Sequence, residues 1–243
     1  MSSIFAVGVR AFPGHLGLQM LGLRRHRALY ALMQVSLVLF ALGTGAFVLP
    51  DAGWLRHIGD AGLAITLLLG TWWLGLPSLF RRFAWEPYYQ AMIPIAWLGV
   101  VAYALALGTG AIFPGWGERD ILAEGGIRHI FLLGAMAPLM VAMADIVLAR
   151  FGTGEIAGER WLIAAFVLLV AAWPLRVVPP LVTSDSSAAL YESLLGIADV
   201  LAALGLAVAA SVCLRNARQI RAIHQRRQRV QAERQRQLIN VAE

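Results

Sequence analysis

The chain has 243 residues, 59% of them hydrophobic, with a mean hydropathy of +0.70. Those values exclude a soluble globular domain, and apolar runs near the length of a bilayer crossing recur along the sequence. The net charge of +6 sits mostly in one terminal tail, and all 20 basic residues are Arg, a pattern of codon bias rather than of recognition. A single Cys, Cys213, excludes an internal disulfide and any cluster or zinc site built on several thiolates. The sequence shows no repeated short alternation of apolar and polar positions, which argues against a membrane barrel. Composition therefore predicts an all-α, polytopic membrane helical bundle.

Residues 1–27 form a short basic arm with Arg10, Arg24, Arg25 and Arg27. It has no apolar core ahead of a small-residue cleavage site, so a cleaved signal peptide is not expected. Residues 12–23 read either as an interfacial helix anchored by Phe12, Leu16, Leu18 and Leu23, or as an irregular cytoplasmic arm. Six membrane spans are predicted at about 28–49, 61–80, 90–113, 127–149, 161–178 and 188–214, so that 28–214 is the membrane domain. The arm, the 81–89 loop, the 150–160 loop and the tail hold 16 Arg, and only Arg56, Arg119, Arg128 and Arg176 fall elsewhere. The positive-inside rule then places both termini in the cytoplasm of a bacterial inner membrane.

The tail, 215–243, carries eight Arg between Arg215 and Gln237 and neither Pro nor Gly. It is expected to continue the last span as a helix, with Ile220, Ile223 and Val230 on one stripe. Anionic lipid headgroups are the default partner, each nearby Arg gaining on the order of 1 kcal/mol there. The plainer reading is a solvated topology anchor; a partner subunit is a lesser alternative, and nucleic acid is not expected.

One phrase occurs twice. Ala-Leu-Gly-Thr-Gly-Ala stands at 41–46 and again at 106–111, each copy closing an apolar run. A Pro and a Trp follow each copy (Pro50 and Trp54; Pro114 and Trp116), then the tripeptide Arg-His-Ile at 56–58 and 128–130. Both units run outward and return, which predicts that spans one to four are a duplicated hairpin with its axis along the membrane normal. Spans five and six share the direction but not the phrase.

Equivalent helices of such a repeat meet about the pseudo-axis, which puts His57 and His129 at one outer depth. Imidazole ligates haem iron and copper well, so the pair are candidate axial ligands of a haem, with Arg56 and Arg128 beside its propionates. The alternative is that both His-Arg pairs are ordinary polar residues of the headgroup region. In the fourth span His129, Met136, Met140 and Met143 share one helical face, which is either a copper-binding track or adaptable packing. Gly134, Ala135, Ala137, Ala142 and Ala144 allow close helix approach there, and Pro138 is expected to kink the span. Charges within spans are costly and usually paired. Arg176 is matched in depth by Glu192 and Asp199, and Asp145 by Arg150 about one turn away. These scattered groups make no connected polar path, which disfavours a transporter.

Two longer stretches carry a resemblance: LRHIGDAGLAITLLLG at 55–70 and IRHIFLLGAMAPLMVAMADIVLARFGTG at 127–154. With WPLRVV at 173–178 they resemble the later half of the NnrS family, multi-span membrane proteins associated with haem, copper and the response to nitric oxide. The likeness runs from about Leu55 to Arg215. It departs from the family where Asp145 stands near an Arg position and Leu148-Ala149-Arg150-Phe151-Gly152 replaces a His-containing turn. The chain is also about half the family's length and lacks its early His-rich segment. The resemblance implies haem b, with copper as a further cofactor, and a role in respiratory or nitrogen-oxide metabolism by electron transfer or sensing rather than turnover of an organic substrate. By motif it extends to His129, while His57 rests on the internal repeat. The competing expectation is a structural or assembly subunit of a larger respiratory or photosynthetic complex. A small-solute transporter comes third.

Overall fold

An apolar segment in lipid can satisfy its backbone donors and acceptors internally only as a helix. Every described element of this chain is helical. The computed structural model describes residues 18, 20–44, 53–82, 88–112, 121–151, 156–182 and 188–242. Helix α1 is Leu23–Thr44 and α2 is Gly53–Trp73, followed by a short 3₁₀ helix, Leu76–Arg82. Then come α3 (Tyr89–Ile112), α4 (Ile121–His129), a π-helical segment (Ile130–Met136) and α5 (Ala137–Phe151). The last two helices are α6 (Glu159–Val182) and α7 (Ala188–Ala242). The expectations on the N-terminal arm through residue 17, on Pro50, Pro114, Trp116 and Arg119, and on the side chain of Arg150 lie outside the described residues.

Five stretches are long and apolar enough to cross a membrane: Leu23–Thr44, Gln90–Ile112, Gly125–Leu148, Glu159–Val178 and Glu192–Glu233. The third of these joins α4, the π segment and α5 into one span. Helix α2 is not among the five, because its first turns contain Arg56, His57 and Asp60. The helix starts at Gly53, several residues ahead of the apolar run that marks it in the sequence. It stops at Gly75, whose φ of 68° is left-handed, and the Gly75 N–H closes on Trp72 O at 3.0 Å.

Within the Gly125–Leu148 span the chain meets Pro138, which has no N–H to donate and whose ring crowds the carbonyl four residues earlier. The backbone widens rather than breaks. Residues Ile130–Met136 wind as a π-helix, and Ala137 N–H reaches back to Leu132 O.

Small residues set the spacing between neighbours. A Cβ placed on Gly59 of α2 would come within 2.8 Å of the Ser36 carbonyl of α1, and one on Gly62 would meet the Ser36 hydroxyl. Gly43 of α1 faces the backbone of Arg56 in the same way. Between α3 and the π segment, Gly99 lies directly on the backbone of Gly134. Without water to expel, lipid-embedded helices associate through such close van der Waals approach. Cation–π contacts mark both ends of the first pair. The Arg25 guanidinium lies 5.6 Å from the Trp73 ring centre and that of Arg56 lies 5.9 Å from Phe40.

Helix α3 is central: 61% of its span is buried, against 17% for α1. It packs on α2 along one side and on the π segment and α5 along the other, while α6 covers α4, the π segment and α5. Helix α7 packs mainly on α6 and leaves its far side open. Trp97 Nε1 of α3 donates to Thr71 Oγ1 of α2 at 2.9 Å, and the Thr71 hydroxyl donates in turn to Leu67 O at 2.7 Å.

Candidate functional site

The two Arg-His-Ile tripeptides occupy different parts of their helices. Arg56, His57 and Ile58 lie in the first turns of α2, whereas Arg128 and His129 close α4 and Ile130 opens the π segment. His57, His129 and Arg56 are half-buried, and Arg128 is exposed. His129 Nδ1 lies 2.6 Å from Gly125 O. A carbonyl only accepts, so Nδ1 is the donor, and in a neutral ring the lone pair would then sit on Nε2. That is the arrangement by which a histidine ligand is usually oriented and its tautomer fixed.

Helices α2 and α4 both neighbour α3, and among the described residues they are not a substantial pairing with each other. The residue between them in this packing order is Tyr103 of α3, 8% exposed, with the Phe131 ring at 4.9 Å and tilted by 44°. The charges of Asp60 and Arg128 both reach Tyr103. Asp60, 6% exposed, thus belongs with these groups, and its sequence position after the charged start of α2 does not single it out. The one local signal is that Asp60 follows Arg56 by four residues and so shares its helical face. At the corresponding place in the second copy stands Leu132, so these groups have one repeat-specific carboxylate.

Along the fourth span, Met136 is half-buried within the π segment, Met143 packs against the core, and Met140 is 66% exposed. A π turn takes more residues than an α turn, so it shifts the register between His129 and the methionines beyond it. Arg176 Nη1 of α6 is 3.3 Å from Asp199 Oδ2 of α7, while Glu192 is exposed. Asp145 is buried at 3% exposure. A cleft of about 250 Å³ opens between α3 and α6, lined by Met92, Ile95, Ile163, Phe166 and Val170 with Tyr88 at its edge. It is apolar and remote from the histidines in sequence order. Among the described residues no three His, Cys, Asp or Glu side chains group as a metal site.

These features define a class: a multi-pass helical membrane protein in which Arg56, His57, Asp60, Tyr103, Arg128 and His129 are polar residues of three helices, two of which pack on the third. Comparison with protein-family models, with characterised proteins and with solved structures finds no match to the chain.

Proposed function

We propose that this is an NnrS-like protein of the bacterial inner membrane that binds haem b near its outer surface through His129. It acts in respiratory or nitrogen-oxide metabolism by electron transfer or sensing. The observation that carries the reading is the His129–Gly125 hydrogen bond, which leaves Nε2 as a ligand atom beside the cationic Arg128. His129 is the primary candidate ligand and His57 the candidate second; α2 and α4 each contact α3, and among the described residues they are not a substantial pairing with each other. Arg128 and Arg56 would be the cations available to the anionic propionates of the haem.

The topology proposed is six spans with both termini cytoplasmic. Helix α2 has 21 residues. At 1.5 Å per residue that is about 31 Å, enough for the hydrocarbon core. Two local identities support a duplicated hairpin. Thr44 Oγ1 bonds Phe40 O and Ala41 O at 3.0 and 3.1 Å, and Thr109 Oγ1 bonds Leu105 O and Ala106 O at the same distances. The tight crossings also use corresponding glycines of the returning helices, Gly62 against α1 and Gly134 against α3.

The reduced-minus-oxidised absorption spectrum of the purified protein tests the haem reading. A b-type band should be present and should vanish in His129→Ala; loss in His57→Ala as well would make His57 the second ligand. A folded but colourless preparation sinks the proposal. Metal analysis of the same sample tests copper on the Met136 and Met140 side. A second reading, a structural subunit without its own cofactor, is favoured by the open outer side of α7.

A further inference from the structure

Helix α7 is one continuous helix of 55 residues, Ala188–Ala242, and it crosses from apolar to basic composition at Arg215 without a break. In its membrane half, Gly196, Val200, Ala203, Ala207, Ala210 and Leu214 are all exposed. Their spacing alternates between four and three residues, the period of a helix seam that packs along a partner. A Cβ on Gly196 would touch nothing. Below the membrane, Arg215, Arg218, Arg221, Arg226 and Arg229 are also exposed. At 3.6 residues per turn these five fall within about 140° of the helix circumference, on the side that continues the small-residue seam. The opposite side holds Val212 and the buried Asn216, which face the rest of the protein.

Lipid headgroups account for only the near part of this basic face. A helix continuous with its span projects from the bilayer by about 1.5 Å per residue, so Arg226 and Arg229 stand on the order of 15–20 Å beyond Arg215. That exceeds the screening length of about 8 Å at physiological salt. A second copy is disfavoured too, because a parallel α7 would set one arginine face against another. We propose that this side of α7 docks a partner membrane helix that is small-residued within the bilayer and acidic in its cytoplasmic continuation. The seam permits close approach in lipid, and the arginines select the partner by charge. The inference does not depend on whether His129 binds iron.

The test uses the full-length protein in neutral phosphatidylcholine nanodiscs with a fluorophore-labelled synthetic single-span peptide. The peptide carries an alanine-glycine seam and a glutamate-rich extension; a second version carries a lysine-rich extension. Energy transfer should report binding of the acidic peptide at least tenfold tighter than the basic one. Arg218→Glu/Arg221→Glu/Arg229→Glu should reverse that preference, and Ala203→Leu/Ala207→Leu should weaken binding of the acidic peptide while leaving the preference for acid over base intact. Binding indifferent to the sign of the extension would overturn the proposal. So would self-association of the protein through α7 that Ala207→Leu abolishes, or transfer between a probe at residue 229 and labelled lipid that appears only when phosphatidylglycerol is added.

Discussion

Asn216 shows how much one polar side chain contributes when nothing else is available to bond. It is 4% exposed, and its amide forms a paired bond with the backbone of Ala157: Oδ1 accepts from Ala157 N at 3.0 Å and Nδ2 donates to Ala157 O at 3.0 Å. Nδ2 also donates to Val212 O at 2.9 Å. This pins the turn before α6, where Gly158 has a φ of 87°, to the long helix α7. Asn216→Ala strands the Ala157 N–H and C=O away from water. The expected cost is about 1–3 kcal/mol, measured as a lower midpoint in denaturant unfolding of the micelle-bound protein. Asn216→Asp keeps the acceptor but loses the donor and should fall at least as far. Nothing in the linear sequence distinguishes Asn216 from a polar residue at the start of the tail, since its partner is 59 residues away. The same holds for Asp60. A span read from its apolar run begins after that residue, whereas the helix winds back to Gly53 and carries Asp60 as a buried residue whose charge is felt at Tyr103.

At the scale of elements, hydropathy located the long helices because lipid solvation imposes one secondary structure on an apolar stretch. It misplaced the ends of α2. The start of a helix depends on where the backbone can close its bonds, not on where charge stops, and Gly53 through Asp60 wind as helix despite three polar residues. Its far end is set by Gly75, a single residue able to adopt a left-handed φ. Pro138 was readable as a fault in the fourth span, but whether the chain kinks or widens depends on its surroundings. Gly134, pressed against Gly99 and the Trp173 ring, occupies the widened stretch. The contact of α1 with α2 makes a sharp test. Gly59→Leu forces a side chain into the backbone of Ser36 and Phe40, and the expected loss is about 3 kcal/mol or a failure of the hairpin to assemble. Gly196→Leu, on the open side of α7, should leave the midpoint of unfolding unchanged, because its Cβ meets nothing.

For the whole molecule, the number of crossings decides whether its two ends share a membrane face. Six spans put both ends on one membrane face and five put them on opposite faces. In a Cys213→Ser background, single cysteines introduced at Ser3 and at Glu243 should both be shielded from an impermeant thiol reagent in intact cells. Both should react in inverted vesicles. Opposite labelling of the two positions would remove α2 from the membrane and with it the proposed outer location of His57.

The sequence by itself determined the class of protein, the positions of most helices and the repeated phrase. Those follow from composition and local spacing, which need no knowledge of neighbours. Tertiary structure alone decided which faces meet. It packed α3 against both helices that carry the histidines, set Tyr103 where the charges of Asp60 and Arg128 are felt, and left the seam of α7 open. The reason is physical: in a membrane almost every face is apolar, so hydrophobicity cannot say which side of a helix turns inward. That choice rests on where glycine, serine and alanine allow two backbones to approach.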